Sequence, residues 1–285
     1  MSEVRALPSP TRTLPCGERV AALGQGTWRI GDDPARRAQE VATLQRGLDL
    51  GLSLIDTAEM YGDGRAESVV GAALAGRRER AFVVSKVLPH NASLRRMRQA
   101  CEASLRRLGI ETIDLYLLHW PGAVPIAETV QAFEDLQRAG KIRHWGVSNF
   151  DTQAMDALWR TPGGRACQTN QVLYHLAERG IEWDLLPALR ARGLPTMAYC
   201  PFDEGRLLRH PALRGFAQRH AMSAAQVALA WLLAQDGVIA IPKTGRLQAL
   251  QDNAQALACV LTPAQRAELD ALFPPPDGAR ALAVI

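Results

Sequence analysis

The chain has 285 residues, 47% of them hydrophobic and 22% charged, enough apolar content for a globular fold with a large buried core. No apolar run reaches the roughly 18–20 residues of a membrane-spanning helix, and Met1-Ser2-Glu3-Val4-Arg5 lacks the layout of a secretory leader, so the expected compartment is the cytoplasm and no membrane partner is expected. Cys16, Cys101, Cys167, Cys200 and Cys259 are odd in number and never spaced CxxC, and the histidines form no HxH or HExxH pattern, so neither a disulfide framework nor a metal site is expected.

From the N-terminus, Thr11-Arg12-Thr13-Leu14-Pro15-Cys16-Gly17-Glu18-Arg19-Val20 reads as a short hairpin placed to plug one end of a barrel. Apolar stretches of strand length then recur about every thirty residues, at 21–23, 52–55, 81–84, 113–118, 145–147, 169–172, 195–199 and 238–241. Near-continuous apolar strands suit a parallel sheet covered on both faces. Helical spacing fills the intervals. Val41, Leu44 and Leu48 form one stripe. Leu94, Met97, Cys101, Leu105 and Leu108 form another behind Ser93 and ahead of Gly109, and Val227, Ala230 and Trp231 follow Ser223. The second stripe carries Arg95, Arg96, Arg98, Arg106 and Arg107 with no aromatic residue interleaved for base stacking. The net charge of +4 is therefore a solvated helix face and predicts no nucleic-acid partner.

Thr262-Pro263-Ala264-Gln265 opens one further helix through Leu272, before Phe273-Pro274-Pro275-Pro276 and a tail with little material for a long loop over the barrel mouth. Eight β-then-α units without a linker predict an α/β fold over residues 1–285: a single (β/α)8 TIM barrel domain with an N-terminal β-hairpin and an extra C-terminal helix. Function in such a barrel is carried where the strands end.

Asp56, Lys86 and His119 stand at the ends of three successive predicted strands, and Tyr61 follows Asp56 by five residues in the same loop. One rim of the barrel would bring them together. A free phenol titrates near 10, and a neighbouring ammonium favours the phenolate, so Lys86 is expected to bring Tyr61 toward working range. A buried ammonium needs a carboxylate to stay charged, which is the expected place of Asp56. His119 can donate a hydrogen bond to a carbonyl oxygen.

Asp56-Thr57-Ala58-Glu59-Met60-Tyr61-Gly62, Ser85-Lys86-Val87 and Leu117-Leu118-His119-Trp120-Pro121 resemble the tetrad motifs of the aldo-keto reductases. Gly24-Gln25-Gly26-Thr27-Trp28, Gly146-Val147-Ser148-Asn149-Phe150, Asn170-Gln171-Val172, Ala198-Tyr199-Cys200-Pro201-Phe202 and Ile241-Pro242-Lys243-Thr244 follow in the family's order, so the resemblance covers about residues 10–275. It implies an oxidoreductase that reduces aldehydes and ketones to alcohols with NADPH, with Tyr61 as general acid, Lys86 and Asp56 as its tuning pair and His119 orienting the carbonyl. The family binds NAD(P)H without a Rossmann domain, in keeping with the absence of a GxGxxG fingerprint here.

The resemblance further implies that Tyr199 stacks on the nicotinamide, that Ser148, Asn149 and Gln171 bond its carboxamide, and that Lys243, Thr244, Asp252 and Asn253 hold the adenosine end. Gly26, Thr27, Trp28, Asp56, Cys200 and Phe202 complete the cofactor set. Lys243 would pair the 2′-phosphate. Ala249 stands where many members have arginine, which leaves NADH open as an alternative unless Arg246 supplies the charge, and Cys200 replaces a common serine.

Trp28, Met60, Trp120 and Phe202 would form the substrate cup, suited to small aldehydes and dicarbonyls, in the pattern of bacterial members that reduce methylglyoxal. A monomer with a small-molecule carbonyl substrate is expected. The rivals are a catalytically weak NADPH-binding sensor or regulatory subunit on the same fold, and a lyase forming a Schiff base on Lys86.

Overall fold

The computed structural model describes residues 10–285; the leader reading at Met1 to Arg5 lies outside the described residues. The chain opens with β1 (Thr11–Thr13) and β2 (Arg19–Ala21), paired antiparallel around a turn in which Gly17 adopts φ +89°. Eight parallel strands follow: β3 (Gln25–Gly26), β4 (Leu54–Asp56), β5 (Phe82–Val87), β6 (Ile113–Leu118), β7 (Ile142–Ser148), β8 (Asn170–Leu173), β9 (Thr196–Tyr199) and β10 (Val238–Ala240). Each neighbours its successor in chain order. The ring closes where Gly24 N donates to Ala240 O (2.9 Å), Ala240 N to Ala22 O (2.8 Å) and Gly26 N to Pro242 O (2.9 Å). A Cβ on Gly26 would lie 2.9 Å from Ile241 O, so this seam requires glycine there. The architecture is a (β/α)8 barrel.

The helices wrap the outside: α1 (Arg37–Asp49), α2 (Arg65–Leu74), α3 (Leu94–Leu108), α4 (Ile126–Arg138), α5 (Thr152–Arg160), α6 (Leu185–Arg190), α7 (Pro211–Arg219), α8 (Ala224–Leu233), α9 (Leu247–Gln255) and α10 (Pro263–Leu272). Met97, Cys101, Leu105 and Leu108 are buried as the stripe on α3 predicts, and only its first member, Leu94, faces solvent. Gly109 ends α3 at φ +64°. Ser223 and Gln226 form a capping box at α8, and Thr262 and Gln265 form another at α10.

Strand alternation sorts the core into two layers. Leu54, Phe82, Val84, Leu115, Leu117, Met197, Ile239 and Ile241 cluster in the barrel interior, while Ile55, Val83, Val87, Tyr116, Leu118 and Val172 pack with the helices. Leu14, Val20 and Ala21 join the interior cluster beside Leu54 and Phe82, the first residues of β4 and β5, so the hairpin closes the end at which the strands begin. A buried aliphatic side chain stabilises by about 1.5–3 kcal/mol, which makes this plug part of the barrel's stability.

Three of the differences from the expected strand boundaries bear on the site. Ala21 belongs to the hairpin, and the first barrel strand is Gln25–Gly26, which carries no apolar signature. Gln25 is buried because its amide donates to Leu52 O (2.9 Å) and Leu44 O (3.3 Å). Asp56 and Lys86, expected to follow their strands, lie within them. The interior parity of Leu54 and Val84 therefore carries over, two residues on, to these charged side chains.

Candidate active site

At the strand-end mouth lies a cavity of about 410 Å³. Lys86, fully buried, reaches up from β5 and uses all three ammonium donors: to Asp56 Oδ2 at 2.8 Å, to Thr57 O at 2.9 Å and to Tyr61 Oη at 3.0 Å. Asp56 Oδ1 accepts from Gln171 Nε2 at 2.8 Å, and Asp56 O accepts from Thr27 Oγ1 at 2.9 Å. Both carboxylate oxygens are thus bonded, the condition under which a buried ion pair persists.

Burial pulls the Lys86 pKa below its ordinary value, with Asp56 opposing. For Tyr61 the direction differs from the sequence expectation. Burial first and the Asp56 charge second raise the phenol well above 10, so it is fully protonated in the folded chain. The ammonium 3.0 Å from Oη compensates the phenolate only as that charge forms.

Tyr61 sits in the turn after β4, its ring edge-on to Trp28 (centroids 5.1 Å) and to His119 (5.8 Å). His119 follows β6, with its backbone N donating to Val87 O at 3.0 Å and its O accepting from Asn149 Nδ2 at 3.1 Å. Burial, then the Lys86 charge, drives its pKa down to about 2, so the ring is neutral and offers a single N–H. Its buried Nδ1 has no partner among the described residues, the kind of polar atom a bound ligand satisfies.

The predicted cup assembles: Trp28, Met60, Trp120 and Phe202 all line the cavity, beside Asp56, Tyr61 and His119. Ser148, Asn149, Gln171 and Tyr199 make the polar wall. Tyr199 Oη donates to Asn149 Oδ1 (2.9 Å), Asn149 Nδ2 to Ser148 Oγ (3.3 Å), and Ser148 Oγ to Gln171 O (2.8 Å). Gly26, Thr27, Cys200 and Lys243 also border the cavity, whereas Thr244, Asp252 and Asn253 do not. Asp252 is held by Ser223 Oγ and Gln226 Nε2, both at 2.8 Å. Thr244 Oγ1 accepts from Arg246 N, and the Arg246 side chain faces solvent. Cys200 is a thiol, its pKa raised to about 11 by burial.

The sequence reading missed Arg29, Glu204, Leu208 and Ile285, all of which line the cavity. Arg29 Nη2 and Glu204 Oε1 approach to 3.6 Å. Arg29, Asn149, Cys200 and Glu204 have φ of 49–62°, backbone strain gathered at one site. Glu204 and Leu208 lie in the loop after β9, where the strand-end rule points. No local signal marks Ile285. The tail after Pro276, read as too short for a long loop over the mouth, still brings its last residue to the cavity.

A family model described as the aldo/keto reductase family matches residues 22–273. The methylglyoxal reductase YeaE of Escherichia coli strain K12 is 52% identical over 271 residues, 93% of this chain and 95% of that protein. An aldo/keto reductase from Klebsiella pneumoniae, solved with NADP and acetate, is 49% identical and superposes with a TM-score of 0.94 over 97% of this chain and 100% of that one. An aldo-keto reductase from the same organism, solved with NADPH, gives 0.95 at 49% identity over 98% and 100%.

Proposed function

The chain belongs to the aldo/keto reductase family and is an oxidoreductase that reduces carbonyl groups with NADPH, and on that premise we propose that Tyr61 is its general acid and a small aldehyde or dicarbonyl such as methylglyoxal its substrate. The observation that carries the reading is Lys86 Nζ bridging Asp56 and Tyr61 Oη beneath a cup walled by Trp28 and Trp120. When bound, NADPH supplies the hydride that reduces the carbonyl carbon.

The chain's own groups do the rest. His119, neutral, donates its N–H to the carbonyl oxygen and holds the carbon toward the reductant. As charge develops on that oxygen, Tyr61 Oη–H gives up its proton, and Lys86 stabilises the phenolate left behind. Asp56 and Gln171 keep Lys86 and its counter-charge in place. Three acceptors around Lys86 Nζ favour an ammonium over the free amine a Schiff-base lyase needs.

The polar wall supports a nicotinamide site: Tyr199 offers a ring face, and Ser148, Asn149 and Gln171 offer amide-complementary groups, with Gly26, Thr27, Trp28, Cys200 and Phe202 around them. Lys243 at one edge suits the 2′-phosphate, with Thr244, Asp252 and Asn253 beyond the cavity toward the adenosine. Two tryptophans, Met60 and Phe202 give the cup apolar walls, which suits a small carbonyl substrate.

Among the described residues no helix is long and apolar enough to cross a membrane. We read the whole chain as one barrel domain acting as a cytoplasmic monomer without a nucleic-acid or membrane partner. Three α3 arginines are engaged within the fold, Arg96 with His90 O, Arg98 with Glu102 and Arg107 with buried Glu67. The test follows NADPH absorbance with methylglyoxal and larger aldehydes. Methylglyoxal should turn over readily, and Tyr61→Phe should lose at least about 10³-fold in kcat while still binding NADPH. A folded Tyr61→Phe protein with near-normal turnover would sink the assignment.

A further inference from the structure

At the barrel end opposite the cavity, side chains from two distant parts of the chain converge. Cys16 and Glu18 flank Gly17 at the tip of the β1–β2 hairpin, and His144 stands near the start of β7. Cys16 Sγ is 3.8 Å from His144 Nε2, and Glu18 Oε2 is 2.7 Å from the same nitrogen. One ligand atom from each of the three residues falls within 4.8 Å of the other two, and no other such trio of Cys, His, Asp and Glu occurs among the described residues.

A tetrahedral zinc ion, with arms of about 2.3 Å to sulfur and 2.0–2.1 Å to nitrogen, holds the two about 3.6 Å apart. The Cys16–His144 spacing is already near that value, and the Glu18–His144 hydrogen bond has to open by about 0.7 Å to reach the nitrogen–oxygen edge of the same tetrahedron.

The surroundings favour holding an ion. Arg143 Nη2 donates to both Glu18 oxygens at 2.8 Å, so Oε1 can keep that bond and orient the carboxylate while Oε2 turns to the metal. Arg143 shares its charge with Asp114 Oδ1 at 3.0 Å, which lessens its repulsion of a cation. Cys16 N donates to Gln168 Oε1 at 2.9 Å, fixing the hairpin tip against the chain just before β8. Cys16 is exposed, leaving an approach from solvent and a fourth position for water.

We propose that Cys16, Glu18 and His144 form a three-ligand site for a divalent cation of the zinc class. The ion would clasp the hairpin plug to β7. Ser148, in the cavity wall, lies four residues further along the same strand, about 13 Å at 3.3 Å per residue. The clasp is therefore structural, and its loss leaves the reductase reaction untouched.

The test uses full-length protein without a polyhistidine tag, its thiols reduced, titrated with Co2+ and then Zn2+. The expected result is one equivalent of Co2+ with a thiolate-to-cobalt charge-transfer band, displaced by Zn2+. Cys16→Ser should lose the band, and both Cys16→Ser and His144→Ala should weaken Zn2+ binding at least about tenfold. Zn2+ should raise the Tm of wild type by more than that of Cys16→Ser at the same concentration. NADPH-dependent turnover should match wild type in Cys16→Ser, which also verifies that the variant is folded. Absence of stoichiometric Co2+ uptake by wild type, or a charge-transfer band that survives in Cys16→Ser, would overturn the proposal.

Discussion

Replacing Lys86 by Met tests the bridge at the base of the cavity. Lys86 Nζ lies 3.0 Å from Tyr61 Oη and is fully buried. At an effective dielectric of about 20, a full ammonium–phenolate attraction at that distance is about 5.5 kcal/mol, a ceiling of about four decades in rate. The phenolate is only partly formed in the transition state, so a kcat loss of about two to four decades is expected. The same change strands the Asp56 carboxylate with Gln171 as its remaining side-chain donor, which costs stability of about 3–5 kcal/mol unless Asp56 takes up a proton.

The double variant Lys86→Met with Asp56→Asn separates the two effects, because it removes the stranded charge and restores much of the stability without restoring the rate. Stopped-flow NADPH oxidation gives kcat, and urea unfolding gives stability. Retention of kcat within tenfold of wild type in a folded Lys86→Met protein, or recovery of the rate in the double variant, would refute the assigned role.

The remaining expectations concern protonation, cofactor charge and the barrel seam. His119 has a folded pKa of about 2 against an ordinary value of 6.5, so its contribution to stability is complete above about pH 6.5 and is lost as the pH falls toward 2. The slope is about 1.4 kcal/mol per pH unit. Urea titrations at pH 6.5 and 5.0 should therefore show His119→Asn losing about 2 kcal/mol less than wild type; equal losses would contradict a neutral buried ring. Lys243→Met should raise KM for NADPH about ten- to hundredfold and leave that for NADH nearly unchanged, as expected for one charge-assisted contact to a phosphate. Parallel KM measurements with the two cofactors decide it. Gly26→Ala places a methyl 2.9 Å from Ile241 O, and a thermal melt should show a loss of about 1–3 kcal/mol.

Legibility varied with how local the signal was. The apolar rhythm of β6 and the stripe of α3 were plain because strand and helix periodicities are short-range properties. The first barrel strand escaped because Gln25 is buried through hydrogen bonds to Leu44 and Leu52, partners 19 and 27 residues away. The quartet was legible as residues in chain order, while the placing of Asp56 and Lys86 inside their strands was not. Strand parity from Leu54 and Val84 was the clue that could have supplied it. Gln171 is a further case, since its amide donates to Asp56 Oδ1 and so belongs to the ion-pair network as well as to the cavity wall.

The alternation of apolar strand and amphipathic helix marked a parallel sheet covered on both faces, and eight such units in 285 residues are the count of a closed barrel. The order of Asp56, Tyr61, Lys86 and His119 likewise fixed which groups share a rim. Tertiary structure decided what depends on distance and desolvation. It holds Tyr61 fully protonated although an ammonium touches its oxygen, and it brings Ile285 to the mouth. It also sets His144 against Cys16 and Glu18 across more than 120 residues of chain, where no spacing motif could announce the meeting.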